Sequence, residues 1–439
     1  MSLGYLTLLV FGALISALIV GLPIAFSTGA IAVVMAVWLF DLNTLNIIVS
    51  RVFTLMGNNI LLAVPLFILM ASILEKAGIA EDIFKAAYIW SGKIRGGLAV
   101  AVVISCALMA TMVGVIGAEI VTMGVVALPA MLKRGYGKSL TLGSICAGGG
   151  LSTLIPPSVV FIMYALTAGT SIGQLYMAGV FPGLLLASLY IGYIILISYL
   201  KPEIAPSAPP EELNISFVEK LAYLKNLVLP GLVAFSVLGS LYLGWATPTE
   251  AAGIGVVGAL IAAIINRRFT WRGLYLAVID TTKVTCMLYW LFFGASVLVG
   301  VYTMAGGTAY LKELLLDLPG GRWGVLITMN LIWIVLGCVI DWIGILLLTA
   351  PVFVPVAIAL GFDPIWLGVL FCMNMQISYI SPPFGPAAFY LKGAAPDNIS
   401  IGDIFKSVWP FLGLQLVALG LVMAFPAIAL WLPQTMLAR

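Results

Sequence analysis

Apolar stretches of about 20 residues recur from one end of this chain to the other, which is the length a helix needs to cross a bilayer. The first is GYLTLLVFGALISALIVGLP (4–23). Of 439 residues, 63% are hydrophobic and 8% charged; a soluble domain carries about 25% charged residues. The predicted fold class is therefore an all-α polytopic membrane protein. The first stretch lacks a basic leader and a small-residue cleavage site, and reads as a retained first span.

Other features exclude function classes. The chain has no histidine, which removes histidine-based triads, haem ligation and most zinc sites. Its five cysteines (Cys106, Cys146, Cys286, Cys338, Cys372) lie in apolar runs without a CxxC pair and read as packing residues. A net charge of +3, spread over loops, points to no nucleic-acid partner. No GxxxxGK[ST] phosphate loop is present, so transport by such a chain needs an ion gradient.

Spans are predicted near 4–22, 24–40, 60–75, 140–168, 175–200, 226–244, 249–266, 284–303, 365–391 and 404–432. Segments 97–132 and 323–360 are too long for one span, and each is either two full spans or a re-entrant hairpin. Both options leave the later loops on the same side. Basic clusters at Lys93/Arg95, Lys133/Arg134/Lys138, Lys201/Lys220/Lys225 and Arg267/Arg268/Arg272 then all face the cytoplasm, with both termini outside. KPEIAPSAPPEELN (201–214) is the one polar, proline-rich linker, followed by the amphipathic, interfacial FVEKLAYLK (217–225).

Two motifs interrupt apolar runs with paired prolines: STLIPPSVV (152–160) and SYISPPFGP (378–386). Proline removes a backbone hydrogen bond, and in lipid no water replaces it. One such pair alone reads as a kink supported by neighbouring helices. Here a single offset of 226 residues links Pro156 to Pro382, Pro157 to Pro383, Ser152 to Ser378, Pro129 to Pro355 and Gly135 to Gly361. Each half runs span, amphipathic helix (79–97 and 307–321), long hairpin-like segment, broken span, closing span. By the charge topology the first hairpin enters from the cytoplasm and the second from outside, so the repeats are inverted. Inverted repeats with interrupted helices at matching places predict a secondary transporter with its site near the midplane.

A broken span exposes carbonyls that suit sodium and N–H groups that suit a carboxylate. Residues 112–118 are expected beside 152–158, and 337–344 beside 378–384, giving two pseudo-symmetric cation sites with substrate between. Intramembrane acids are functional candidates. Asp341 reads as a substrate or ion contact; Glu119 reads equally as a functional acid or as one that caps or pairs within its hairpin. Lys283 and Lys392 read as snorkelling, and Glu250 as a helix N-terminal acid.

The order and spacing of ALPAMLKRGYGKSL (127–140), STLIPPSVV, AGVFPGLLL (178–186), APVFVPVAIALGFDPIWLGVL (350–370) and SPPFGPAAFYLKGAAP (381–396) resemble the large membrane subunit (DctM-like) of tripartite ATP-independent periplasmic (TRAP) transporters over essentially the whole chain. The form is most similar to the cluster labelled mannitol/chloroaromatic. The resemblance implies a sodium-coupled elevator in a bacterial or archaeal inner membrane, importing an organic acid. It implies two partners, a small four-helix membrane subunit and an extracytoplasmic substrate-binding protein. It divides the chain into N-terminal scaffold helices (1–59), a first inverted repeat (60–200), a cytoplasmic linker and interfacial helix (201–225), a scaffold pair (226–283), a second inverted repeat (284–432) and a tail (433–439). No cofactor is implied beyond sodium as coupling ion.

Carried over by position, the resemblance implies a first sodium site at Val113, Ile116, Ser152, Ile155 and Pro157, partly through backbone oxygens. It implies a second at Gly337, Ile340, Thr349, Met375 and Ser378, and substrate contacts at Ser158, Asp341 and Gly114. Many members have a serine-rich first tip such as GGISGS where this chain reads TMVGVIG. The missing hydroxyls imply an altered first site and a ligand smaller or less polar than a sugar acid. A stand-alone sodium/carboxylate elevator and, from another class, a channel are the alternatives; a membrane enzyme or assembly scaffold has too few ionisable groups near the midplane.

Overall fold

The computed structural model describes residues 2–92, 94–113, 117–206 and 216–437. All regular structure among them is helical. In chain order the α-helices are α1 (Leu3–Ile19), α2 (Ile24–Leu39), α3 (Leu45–Met56), α4 (Ala63–Lys76), α5 (Ile79–Ser91), α6 (Gly97–Val113), α7 (Ala118–Lys133), α8 (Lys138–Gly150), α9 (Val159–Ala168), α10 (Ile172–Leu200), α11 (Phe217–Tyr242), α12 (Pro248–Ile265), α13 (Trp271–Met304), α14 (Gly307–Leu316), α15 (Gly321–Gly337), α16 (Trp342–Ala359), α17 (Pro364–Ile380), α18 (Pro386–Ala394), α19 (Ile401–Ala424) and α20 (Ala427–Leu437).

Among the described residues, six helical segments are long and apolar enough to cross a membrane, or seven when the bent α11 counts as one span. The chain is a polytopic membrane protein. The span predicted at 249–266 is α12, and the one at 60–75 ends with α4. Other boundaries differ. The span placed at 284–303 is the distal part of α13, which starts at Trp271 and has 34 residues. At 1.5 Å per residue it is about 50 Å long, well beyond the ~30 Å hydrocarbon core. The expected single closing span, 404–432, is two helices, because Pro426 has no N–H to continue α19 past Ala424. FVEKLAYLK forms the start of α11, whose axis bends by 50° between Val218–Lys225 and Leu227–Tyr242. α3 was not foreseen; it has no buried residue and is held to α13 by Arg51, whose Nε donates to Ser296 Oγ at 3.3 Å.

Segments 97–132 and 323–360 are each two helices, α6/α7 and α15/α16. The broken runs are α8, a 3-10 turn (Leu151–Thr153) and α9, then α17 and α18. Helix ends recur at the 226-residue offset. α8 and α17 begin at Lys138 and Pro364, α7 and α16 end at Lys133 and Ala359, and α9 and α18 end at Ala168 and Ala394. Gly135 and Gly361 both terminate a helix in the left-handed region, at φ 75° and 78°.

Two kinds of helix start are present. Several loop-connected helices have side-chain caps, including reciprocal ones at Ser216/Glu219, Thr247/Glu250 and Ser400/Asp403. Glu250 thus has the N-terminal role its position predicted. The half-helices α9 and α18 begin without any side-chain cap. The best-buried elements, α8, α9, α16 and α17, pack on one another across the halves, with α9 against α16 and α7 against α18. Lys392 Nζ donates to the Ile399 carbonyl at 2.8 Å.

Candidate functional site

The first break starts where GGGLST ends α8. Leu151 O accepts the last two N–H groups, from Leu154 and Ile155 at 3.0 and 2.9 Å. Hydroxyls fold back on the helix end: Ser152 Oγ donates to Gly149 O (3.0 Å) and Thr153 Oγ1 to Gly150 O (2.9 Å). Among the described residues, no hydrogen bond reaches the carbonyls of Ile155, Pro156 or Pro157. The break is seated on two glycines of α10. A Cβ on Gly179 would lie 2.5 Å from Leu154 O, and one on Gly183 2.6 Å from Ile155 Cγ1. This is the physical content of the AGVFPGLLL motif.

The second break follows α17, which runs on to Ile380, so Met375 and Ser378 lie within helix. Ser378 Oγ donates to Asn374 O at 3.0 Å. The α15–α16 tip comes directly onto it: a Cβ on Gly337 would sit 1.7 Å from Ser378 Oγ. The carbonyls of Gly337 and Ile340 accept no hydrogen bond among the described residues. A cavity of about 20 Å³ remains between them, with Gly337, Ile340, Asp341, Met375 and Ser378 in its wall. That is room for one water-sized body. The donor set is hydroxyl and carbonyl oxygen, which fits a hard cation such as sodium.

Thr349 stands apart from this set. Its Oγ1 donates to Ile345 O (2.7 Å) and accepts from Trp333 Nε1 (2.9 Å), so its visible work is to satisfy a buried indole. Four of the five residues expected at the second site therefore come together, and Thr349 is absent from the cavity wall.

Next to the small cavity is a larger one of about 290 Å³. Three helix N-termini converge on it: α9 through Val159 and Val160, α16 through Asp341, Trp342 and Ile343, and α18 through Pro386. α13 closes one wall with Val284, Met287, Leu288 and Leu291, and Tyr379 and Tyr390 add the remaining polar edges. Asp341 lines both cavities and caps α16, with Oδ2 accepting from Ile343 N at 3.2 Å. Ser158 does not line the chamber: its hydroxyl is buried and donates to Thr153 O at 2.7 Å. Val113 ends α6; Gly114 and Ile116 lie outside the described residues.

Helix N-termini carry partial positive charge and free N–H groups, so their convergence suits an anion. The apolar walls suit a small organic body, and the volume is at the lower end for small-molecule sites. Sequence reasoning missed Tyr379, Tyr390 and Trp342, although all three flank quoted or predicted break residues. Glu119 is fully buried; neither carboxylate oxygen has a hydrogen-bond partner of good geometry among the described residues, and the polar groups closest to it are its own N–H and the Ser152 hydroxyl.

An all-helical membrane bundle with two interrupted helices around an anion-suited chamber suits a transporter of small solutes. The sequence matches the family described as tripartite ATP-independent periplasmic transporter, DctM component, over residues 11–428. It is 32% identical to the C4-dicarboxylate TRAP transporter large permease protein DctM of Vibrio cholerae, covering 97% of each chain. It is 27% identical to the isethionate TRAP transporter permease protein DctMQ of Oleidesulfovibrio alaskensis, covering 96% of this chain and 65% of that one. Its fold is similar to the YdaH transporter of Alcanivorax borkumensis, at TM-score 0.60 and 15% identity over 92% of this chain and 98% of that one. The chain belongs to the DctM family of TRAP transporter large permeases. It is a transporter component and not an enzyme.

Proposed function

We propose that this chain is the translocating subunit of a sodium-coupled importer of a small carboxylate, working by an elevator movement. The observation that carries this reading is the chamber on which α9, α16 and α18 point their N-termini. A carboxylate there accepts from the free N–H groups at the start of α9, with the partial positive charge of α18 beside it. Asp341, already offsetting the N-terminus of α16, is left to hold a cation or a hydrogen-bond donor of the substrate. The mostly aliphatic and aromatic wall favours a compact acid over a polyhydroxylated one. Relatives named for C4-dicarboxylate and isethionate transport support an acidic substrate.

Sodium coupling is supported by the unbonded carbonyls at the first break and in the second hairpin tip, and by the small cavity that Asp341 shares with the chamber. A cation in the second site also offsets Asp341, so that ion and carboxylate favour each other's binding.

The recurrent 226-residue offset supports a pair of inverted repeats, with α6–α9 and α15–α18 as the moving unit. In that division α13 belongs to the scaffold, and the chamber lies on the sliding boundary. The name of the DctMQ relative supports a small membrane subunit as partner, and family membership supports an extracytoplasmic binding protein that delivers the acid. The basic clusters favour termini outside and an inner-membrane location. The test is uptake into liposomes with both partners. Asp341→Asn abolishes sodium-driven uptake on this reading, and unchanged uptake removes Asp341 from the site.

A further inference from the structure

We infer that Glu119 supplies the negative charge of the cation site at the first break, in place of the hydroxyls that the TMVGVIG tip lacks. The inference rests on the sodium-coupled reading and deepens it for one site.

Glu119 lies in the first turn of α7 and is 0% exposed, with both carboxylate oxygens unpartnered. The polar side chains acting on it are those of Ser152 and Glu75, and it acts in turn on Cys106 and Tyr379; no lysine or arginine is among them. A buried carboxylate without a hydrogen bond or a counter-charge is strongly disfavoured. Its surroundings sharpen the problem. The first turn of α7 packs on the end of α8, where a Cβ on Gly149 would fall 2.2 Å from Ile120 Cγ1 and 3.4 Å from Ile120 N. A helix C-terminus carries partial negative charge. Of the break itself, Ser152 is the residue set against the carboxylate. The start of α7 offsets part of this charge: Glu119's own N–H and the Ser152 hydroxyl are the favourable polar groups beside the carboxylate.

Among the described residues no cation is set against Glu119, and its own carboxylate and the Ser152 hydroxyl offer oxygen donors. Ser152 Oγ gives its proton to Gly149 O, which leaves its lone pairs free to face a metal ion. The second break has its acid, Asp341, within the facing tip, and the first has Glu119 just past its own; the two do not share the 226-residue offset, which pairs Asp341 with Val115. Each break thus gains one carboxylate from its facing hairpin.

The test uses the full-length chain purified in detergent, with sodium chloride exchanged for choline chloride at constant ionic strength. Thermal melting is the readout. Wild type is expected to gain stability with sodium along a cooperative curve. Glu119→Gln is expected to need ~10-fold or more sodium and to lose cooperativity, since ligand charge sets cation affinity. In choline it is expected to melt no lower than wild type, because an uncompensated charge has gone. A sodium difference infrared spectrum should show a carboxylate change in wild type that is missing in the variant. Superimposable titrations of Glu119→Gln and wild type overturn the inference. If Glu119→Gln does not fold, Glu119→Asp serves: severalfold weaker sodium binding supports the assignment, and a wild-type curve overturns it. A wild-type chain that melts identically in both salts refutes the sodium reading itself, which is a different result.

Discussion

Gly337 and Ser378 are in such close contact that a methyl group on the glycine would lie 1.7 Å from the serine hydroxyl and 2.3 Å from its Cβ. One residue is in the tip of a hairpin and the other is 41 positions later in a broken helix. Their contact joins the two elements that form the second cation site. Gly337→Ala is expected to lower thermal stability by at least the ~1–3 kcal/mol typical of overpacking and to abolish uptake. Gly337→Ala with Ser378→Gly leaves the Ser378 Cα position, at 3.4 Å, as the nearest neighbour, and is expected to recover the melting temperature but not sodium-dependent uptake. A stable, active Gly337→Ala single variant refutes the packing described.

Gly179 and Gly183 give a second prediction. Gly179→Ala pushes on the Leu154 carbonyl, which is backbone and cannot rotate away, so the first break must shift. Loss of uptake is expected. Gly192→Ala on the same helix meets nothing within 4 Å and is the control. Its stability is expected to stay within ~0.5 kcal/mol of wild type. Equal effects from the two variants contradict the seating of the break on α10.

Asp341 has two separable roles. Asn caps helices about as well as Asp, so Asp341→Asn should keep α16 and fold normally while losing the charge. Asp341→Ala should cost an additional ~1 kcal/mol through the lost cap. Melting curves that separate the two variants, with transport lost in both, are the expected outcome.

Thr349→Val tests a residue whose predicted part in the sodium site the packing does not favour. The change leaves Trp333 Nε1 buried without an acceptor, at ~1–3 kcal/mol. The loss should be the same in sodium and in choline. A loss seen only in sodium returns Thr349 to the cation site.

Much of this architecture was legible because proline and charge act locally. The paired prolines located both breaks, and Thr-Pro-Thr-Glu located the capped start of α12. The closing span was misread because Pro426 lies in an otherwise continuous apolar run, where composition outweighs one residue. The proximal half of α13 was missed because its Asp280 and Lys283 break the hydropathy, although Lys76 pairs with Asp280 at 2.9 Å. The resemblance implied Ser158 as a substrate contact; in the structure its hydroxyl donates to Thr153 O, a partner five residues back that no spacing rule announces. The chamber itself was not legible. Val159, Asp341 and Pro386 meet only through tertiary packing, and no local pattern records that three helix starts share one cavity.

The most direct test of the account is sodium-driven accumulation. The chain is reconstituted in liposomes with its small membrane subunit, and its binding protein is supplied outside with a radiolabelled carboxylate. An inward sodium gradient is predicted to drive uptake above equilibrium, and replacing sodium with choline to abolish it. Accumulation that persists in choline, or flux that only equilibrates the acid whatever the gradient, would contradict a sodium-coupled transporter.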